Sequence, residues 1–316
     1  MVNNKVTVCI CTLNRAKNLR KAISHIFLQS YKNLELIVVN DGSSDNTEAE
    51  LAILNQDYPE LIVQNNSTNL GLAKARNVAL SLATGKWFTF IDDDDLWEPM
   101  YLDRMVSELI RKGAVACFSG VITKTSMHFF SGEYMTIQSA LLQGITPPVG
   151  AQMYSTKLLK ELGGYDETIK TGVDHDLWIS IAANKEYQSA KCVFASFALV
   201  TPDAISNPNA IKMTQNVDKR ITGIQRSLTV WDSKLVSIGG EPFRDYFFEE
   251  YRFYLFRRFV MHGLRNRDFE LLGKAITHPW LSPQKAQFLS RFIQYIWTNK
   301  ILRKRTPLKQ FGTYKN

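Results

Sequence analysis

The 316-residue sequence has only four cysteines and no long uncharged apolar run, and each shortage excludes a class of protein. The cysteines show no Cys-x-x-Cys spacing, which argues against a zinc site, and we expect reduced thiols in a cytoplasmic protein. No stretch of about 18 apolar residues occurs, so no membrane-spanning helix is predicted. The first residues also lack the basic segment and apolar core of a signal peptide.

Charge is present but unevenly distributed. The formal net charge is +8, yet residues 1–240 carry 23 Lys and Arg against 24 Asp and Glu, whereas residues 241–316 carry 15 against 6. The C-terminal part is also rich in aromatic residues at helical spacing. We therefore predict a boundary near Gly239-Gly240, followed by a basic, aromatic-rich helical region at 241–316.

Two interpretations of residues 241–316 remain open. The region packs on the rest of the protein as a helical subdomain, or it rests on the cytoplasmic face of the inner membrane. In the second case Arg and Lys would meet anionic headgroups while aromatic side chains lie at the interface. Nucleic acid is not an expected partner, because no binding motif accompanies the charge.

Strand and helix patterns alternate along the first hundred residues. Strand predictions cover 5–11, 34–40, 60–65 and 86–91, and helix predictions cover 17–30, 45–54 and 71–83. Such alternation is typical of an α/β fold, with a mostly parallel sheet flanked by helices. Since ligands bind at the carboxyl ends of parallel strands, we expect the polar residues that follow these strands to share one crevice.

The later part of the chain shows a less regular pattern. Helix predictions cover 98–112, about 156–162, about 174–183 and 209–236, and strand predictions cover 114–123 and 187–200. The segment 126–150 is irregular and rich in Gly, Pro and Ser, including TPPVG.

Four aspartates, Asp92 to Asp95, follow the predicted strand at 86–91. In an extended chain, Asp92 and Asp94 would point to one side and the other two to the opposite side. Two carboxylates on one side suit Mg²⁺ or Mn²⁺, which complete their coordination with water and substrate phosphates. A solvated acidic turn or a helix cap is the simpler alternative, but capping needs only one carboxylate. The concentration of acids favours a metal site.

Two further polar residues lie near predicted strand ends or helix starts. Asp41 begins the turn DGSSD, which alone is typical of an Asx turn. Its place after a buried strand favours a ligand contact, such as accepting a hydrogen bond from a nucleotide base. Arg76 lies on the helix opened by NLGLAKARN, and both arginine and helix N-termini suit phosphate groups.

Five motifs together resemble the inverting GT-A glycosyltransferases of family 2, over roughly residues 5–200: CTLNR, VVNDGSSDNT, NLGLAKARN, FIDDDDLW and GGYDETIKTGVDHDLW. The resemblance implies a GT-A catalytic domain at 1–240, with a nucleotide-sugar half at about 1–112 and an acceptor half at about 113–240. It implies a nucleotide-sugar donor, with UDP preferred because of Asp41, and a divalent cation, Mn²⁺ or Mg²⁺. The acceptor would be a glycan or lipid-linked glycan of cell-surface polysaccharide assembly.

The resemblance also assigns roles to single residues of this sequence. It makes Asp94 the metal ligand, and it puts Asp92 on the ribose side of the donor and Arg76 on the diphosphate side. The full set of nucleotide-binding residues would be Thr12, Asn14, Arg15, Asp41, Arg76, Asp92 and Asp93.

The resemblance makes Asp174 the catalytic base that takes the acceptor's proton. The family often has Glu-Asp at this position, and here Val173 replaces the glutamate, which leaves Asp176 as an alternative base. Capping of the following helix is the simpler explanation for an aspartate at this position.

Other functions can be weighed against this interpretation. A haloacid-dehalogenase-like phosphatase also uses a strand-end Asp-x-Asp with Mg²⁺, but it needs Thr or Val where this chain has Leu96. A non-catalytic sugar- or membrane-binding protein would not need both Asp94 and Asp174. Dinucleotide enzymes and nucleotidyltransferases are disfavoured, because no Gly-x-Gly-x-x-Gly or comparable glycine-rich loop follows the first strand.

Overall fold

A computed structural model describes residues 4–123, 126–128, 134–142, 150–202, 217–281 and 285–296. The strands are β1 Val6–Thr12, β2 Leu34–Asn40, β3 Leu61–Asn65, β4 Trp87–Phe90, β5 Asp95–Trp97, β6 Ala116–Thr123, β7 Ser126–His128, β8 Tyr134–Thr136, β9 Gln152–Ser155 and β10 Lys191–Pro202. The helices are α1 Ala16–Phe27, α2 Thr47–Asp57, α3 Leu72–Leu82, α4 Tyr101–Lys112, α5 Ile137–Leu142, α6 Thr156–Glu161, α7 Val173–Ala183, α8 Val217–Asn266, α9 Phe269–Thr277 and α10 Lys285–Ile296.

The strands join into one mixed sheet in the order β3-β2-β1-β4-β9-β6-β10-β5, with β7 beside β6 and β8 beside β10. Strands β1 to β4 are mutually parallel where they pair, whereas β9 is antiparallel to β4 and β6. Strands β1 and β2 are buried along nearly their whole lengths, which explains their uninterrupted apolar runs. The carboxyl ends of β1, β2 and β4 therefore meet at one edge, where the predicted site residues begin.

Much of the predicted secondary structure agrees with the structure, and the differences lie after residue 90. Strands β5 and β9 were not predicted, because each is only three or four residues long. The segment expected to be irregular contains β7, β8 and α5. Residues 143–149, with most of TPPVG, and residues 209–216 of the predicted 209–236 helix lie outside the described residues.

The chain forms two compact units, one within residues 1–139 and 147–208 and the other within 140–146 and 209–316. The predicted boundary at Gly239-Gly240 instead falls inside the second unit, where both glycines have non-helical backbone and α8 is kinked. The kink does not separate a domain, because Trp231 before it packs against Tyr251 after it, with ring centroids 5.5 Å apart.

The second unit uses the aromatic residues of the basic region to build its own core. Phe256 of α8 packs edge-on against Phe288 of α10 at a centroid distance of 5.6 Å, and both rings are buried. Apolar side chains also remain outside this core, and Leu264 and Phe269 are 52% and 75% exposed. The buried aromatic side chains therefore serve packing within the unit.

Candidate active site

The aspartate turn, Asp92–Asp95, is hydrogen-bonded to the last residue of β1, Thr12, and to Arg15, which follows the strand. Thr12 Oγ1 donates to Asp93 Oδ2 at 2.8 Å, and Arg15 Nη1 donates to Asp93 Oδ1 at 3.1 Å and to Asp94 Oδ2 at 2.8 Å. The segment is not extended, because Asp95 N donates to Asp92 O and closes a turn. The expectation that Asp93 and Asp94 point to opposite sides is therefore wrong, since one arginine reaches both carboxylates.

Electrostatic repulsion is concentrated on Asp92. Burial is the largest cause that raises the pKa of Asp92 to about 6; the carboxylates of Asp174, Asp94 and Asp93 act in the same direction, and Arg76 opposes them. Burial likewise raises the pKa of Asp93, although the hydrogen bond from Thr12 opposes the shift. The turn therefore presents negative charge that the surrounding protein only partly neutralises.

Asp41 organises the loop that leads into α3. Its Oδ1 accepts from Asn66 Nδ2 and Leu70 N, both at 3.0 Å, and its Oδ2 accepts from Gly71 N at 2.9 Å. A carboxylate offers about four acceptor positions, so three are used within the protein and about one is left for a ligand. The predicted contact with a nucleotide base is compatible with this count.

Asn14 joins the loop after β1 to the loop after β2. It has a positive φ of 56°, and its Oδ1 accepts from Ser44 N at 2.8 Å while its own backbone N donates to Ser43 Oγ at 2.9 Å. A Cβ on Gly42 would lie 2.4 Å from the carbonyl carbon of Thr68, so only glycine permits the loop after β2 to approach the loop after β3 this closely. These contacts give Asn14 a structural role beside its predicted ligand contact.

Arg76 and Asp174 form a buried ion pair between α3 and the start of α7. Arg76 Nη1 lies 2.7 Å from Asp174 Oδ1, and their side chains are 2% and 13% exposed. The guanidinium carbon also lies 3.7 Å from the centroid of the Phe90 ring, in a cation–π contact. Two residues 98 positions apart in sequence are thus held together at the carboxyl end of β4.

The helix-capping explanation for Asp174 does not fit the geometry of α7. The N-cap residue is Gly172, in left-handed conformation, and no side chain caps the helix there. Asp176, the alternative base, is only 2% exposed, whereas the Asp174 side chain is 13% exposed. Asp174 is therefore the more accessible of the two carboxylates.

Asn77 is a residue that the sequence motifs did not single out. Its Oδ1 accepts from Tyr165 N at 2.8 Å and its Nδ2 donates to Tyr165 O at 2.9 Å, which clamps the GGYDE loop to α3. Trp97 is buried, and its Nε1 donates to Gly150 O at 2.9 Å. The burial of the neighbouring Arg76 could have been predicted from the sequence, because helical periodicity puts this residue on the apolar face of α3.

The predicted residues fall into linked groups. One hydrogen-bonded network contains Thr12, Arg15, Asp93 and Asp94. Arg76 and Asp174 form an ion pair, and the charges of both groups influence the pKa of Asp92. Asp41 and Asn14 each hold a loop through hydrogen bonds.

The donor chemistry of the aspartate turn fits a divalent cation. Carboxylate oxygens are the ligands that Mg²⁺ and Mn²⁺ prefer, and a cation would stabilise the ionised form of Asp92, which burial and the neighbouring carboxylates disfavour. No group of three or more His, Cys, Asp or Glu within the described ranges is arranged to hold a metal ion. The protein would therefore supply few ligands, chiefly Asp94, and leave the remaining positions to water and a bound diphosphate.

Comparison with known proteins identifies relatives of the part of the chain that builds this site. Residues 7–162 match the family described as "Glycosyl transferase family 2". An uncharacterised glycosyltransferase of Haemophilus influenzae is 30% identical over 134 residues, which make up 42% of this chain and 42% of that protein. The first three curated relatives are matched over 42%, 16% and 57% of their lengths, so the chain spans less than two thirds of each.

Solved structures share the fold at low sequence identity. Staphylococcus aureus TarS in complex with UDP-GlcNAc has a TM-score of 0.60 at 19% identity, over 92% of this chain and 81% of that one. The mannosyltransferase PcManGT from Pyrobaculum calidifontis, in complex with GDP-Man and Mn²⁺, has a TM-score of 0.52 at 16% identity, over 94% and 79%. The predicted fold class, a GT-A sheet with a helical C-terminal region, is confirmed.

Proposed function

Because the chain belongs, through residues 7–162, to glycosyl transferase family 2, we propose that it moves a sugar from a nucleotide-sugar donor to an acceptor hydroxyl with inversion. The observation that carries this proposal is the position of Asp174 beside the aspartate turn: its ion-pair partner Arg76, 2.7 Å away, lies over the ring of Phe90, two residues before Asp92. A base and a predicted metal-binding turn are what a single displacement requires. The phosphatase and non-catalytic alternatives do not account for the family match.

Asp174 acts as the general base of this reaction. It takes the proton of the acceptor hydroxyl as the acceptor oxygen bonds to the anomeric carbon. The bond between that carbon and the diphosphate oxygen breaks, and its electron pair leaves with the nucleoside diphosphate. General-base assistance of this kind contributes about 10²- to 10⁴-fold to a rate. Attack from the side opposite the leaving group inverts the anomeric centre.

The aspartate turn holds the leaving group. A divalent cation bound through Asp94 would supply positive charge to the departing diphosphate. Asp92 would contact the ribose, and the Arg15 guanidinium, already on Asp93 and Asp94, would offset the negative charge of the turn. Mn²⁺ and Mg²⁺ both suit this oxygen donor set.

The nucleotide half of the site favours a UDP-linked donor. Asp41, 6% exposed, is proposed to accept a hydrogen bond from the base, which suits the N–H of uracil. Thr12, Asn14 and Arg15 would line the same end of the donor, after β1. The acceptor is proposed to be a glycan or lipid-linked glycan of cell-surface assembly.

A screen of donor hydrolysis tests the proposed function. Purified protein with Mn²⁺ is given a panel of UDP-, TDP- and GDP-sugars, and released nucleoside diphosphate is measured. We expect one UDP-sugar to be cleaved fastest. We expect Asp174→Asn to lower the rate about 10²-fold or more, the scale of lost general-base assistance, and Asp94→Asn to lower it because the cation loses its ligand. Unchanged hydrolysis in both variants would overturn the assignment.

We also propose that the basic region contacts an anionic membrane at the cytoplasmic face. None of the helices within the described ranges is both long and apolar enough to cross a bilayer. Phe269, 75% exposed, follows exposed Leu264 and Arg267 in the chain, and this combination of apolar and basic side chains suits interfacial contact. Flotation of the full chain with phosphatidylglycerol vesicles tests this. Phe269→Ser should weaken flotation, and Ile53→Ser, at a 48% exposed position, should not.

A further inference from the structure

Arg76 is one of the most completely buried charged residues of the described chain. It is 1% exposed and shares the apolar face of α3 with Ala73, Ala79 and Leu80. Its guanidinium carbon lies 3.7 Å from the Phe90 ring centroid. The surroundings of this cation are therefore protein groups.

Burial of this kind needs a compensating anion. Desolvation acts to lower the pKa of Arg76, but Asp174 and the other nearby anions raise it above its usual value, so the guanidinium stays charged. The 2.7 Å contact joins Nη1 to only one oxygen of the carboxylate, Asp174 Oδ1. Removing either partner would leave the other charge buried and unpaired.

The accessibility of the pair is asymmetric. The Arg76 side chain is 2% exposed and the Asp174 side chain 13%. A side chain that binds a diphosphate must direct its N–H donors at the phosphate oxygens. Arg76 instead directs an N–H donor at Asp174, and the face of its guanidinium lies over the Phe90 ring.

We propose that Arg76 is a positioning residue for the base and not a ligand of the donor diphosphate: it holds Asp174 Oδ1 and leaves Oδ2 to accept the acceptor's proton. This inference rests on the proposed function of Asp174 as general base. It replaces the phosphate contact that the family resemblance implied for Arg76. The same helix also clamps the loop before Asp174 through Asn77, so α3 orients the base from two points.

Four variants test the assignment: Arg76→Lys, Arg76→Gln, Asp174→Asn and the double variant Arg76→Gln/Asp174→Asn. The matched control is Arg20→Gln, which removes an arginine that also forms ion pairs but is 53% exposed on α1. Steady-state hydrolysis of the fastest-cleaved UDP-sugar gives kcat and KM. Calorimetric titration with UDP and Mn²⁺ gives a Kd that does not depend on turnover, and thermal unfolding identifies folded variants.

The expected result is a loss confined to kcat. Arg76→Gln should lower kcat about 10²-fold or more, as Asp174→Asn does, while KM and the Kd of UDP change less than about threefold. Arg76→Lys should recover part of kcat, because it keeps the charge. The double variant should be no slower than Asp174→Asn, since the arginine acts through the carboxylate. The double variant also removes both buried charges together, which protects folding.

Two results would overturn the inference while the proposed function stands. One is a tenfold or greater rise in the Kd of UDP for Arg76→Gln, which would make Arg76 a diphosphate ligand. The other is wild-type kcat in Arg76→Gln while Asp174→Asn is inactive. If wild-type protein cleaves no donor, or Asp174→Asn cleaves it normally, the proposed function fails and the inference fails with it.

Discussion

Among the four consecutive aspartates, Asp93 differs from its neighbours in its surroundings. It is 8% exposed, and both of its oxygens accept hydrogen bonds, from Thr12 and Arg15. A carboxylate held in this way fixes the path of the turn that presents Asp92 and Asp94. Its predicted contact with the nucleotide stays a prediction, and its structural role is visible in the contacts.

Thr12→Val should destabilise the protein by about 1–3 kcal/mol, because it leaves the buried Asp93 carboxylate without one of its donors. The substitution keeps the side-chain shape, so packing is retained. Urea unfolding measures the difference. Thr229→Val, at an exposed position on α8, serves as control and should change stability by less than about 0.5 kcal/mol. Equal effects of the two substitutions would contradict the role of Thr12.

At the scale of single residues, the sequence predicted that the polar residues after these strands lie at one edge of the sheet, but not which side chains bond to one another. The acids after β4 and the polar residues after β1 and β2 follow buried strands, so their convergence follows from parallel pairing. The pairing of Arg15 with Asp93 and Asp94 depends on a turn that alternation of side chains does not describe. The partner of Arg76 lies on another helix, which local patterns cannot identify.

At the scale of elements, the loop between α6 and α7 is attached to α3 by a close contact. Gly164 has a φ of +79°, and a Cβ there would lie 2.4 Å from Asn77 Oδ1. Gly163 has a similar φ of +80° but nothing within 4 Å of its position. A substitution at Gly163 therefore tests backbone strain alone, whereas one at Gly164 also disturbs the contact of the loop with Asn77.

Gly163→Ala should cost about 1–2 kcal/mol, from left-handed backbone alone. Gly164→Ala should cost more and should also slow donor hydrolysis, because the displaced loop leads to Asp174. Thermal unfolding and the hydrolysis assay measure the two effects. If both variants lose the same stability and keep full hydrolysis, the loop does not position the base.

A buried glutamate joins three elements at the amino ends of the strands, at the edge of the sheet opposite the candidate active site. Glu35 of β2 is 6% exposed and accepts from Thr7 Oγ1 of β1 at 2.5 Å and from Thr84 N, before β4, at 2.7 Å. Lys5 Nζ lies 2.6 Å from its second oxygen. Burial opposes its ionisation, but hydrogen bonds from Lys5, Thr7 and Thr84 prevail and lower its pKa to about 2.

Stability should depend on pH through Glu35. Its folded pKa lies below the usual glutamate value of about 4.3, so its stabilisation, about 3 kcal/mol, is complete above about pH 5 and is lost as pH falls toward 2. Glu35→Gln should therefore be less stable than wild type at neutral pH, and the gap should narrow in acid. Urea unfolding at several pH values measures it, with exposed Glu60→Gln as control. A gap that is constant with pH would contradict this.

Element prediction succeeded where the strands are long and paired in parallel. Strands β1 and β2 are seven residues each and almost entirely buried, so their composition alone identifies them. Strand β9 has four residues and inserts antiparallel between β4 and β6, a position that depends on pairing partners distant in sequence. Short elements of this kind carry too few residues to show a period.

At the scale of the whole molecule, charge is distributed differently in the two parts of the chain. Residues 1–240 are nearly neutral, whereas residues 241–316 carry 15 basic against 6 acidic residues. The sequence revealed this asymmetry, but it did not reveal that eight of the described aromatic residues there are buried in a helical core. Burial depends on which helices pack together, and composition does not record that.

The burial of the Arg76–Asp174 pair has a consequence for ionic strength. Raising salt from about 0.1 M to 1 M shortens the Debye length from about 10 Å to 3 Å, which screens exposed charges but not buried ones. Concentrated salt should therefore release the protein from anionic vesicles, while kcat for donor hydrolysis stays within about twofold. Flotation and hydrolysis across a salt series measure both quantities. If flotation and kcat fall together, the ion pair is open to solvent ions. If only flotation falls, salt detaches from the membrane an enzyme that still turns over.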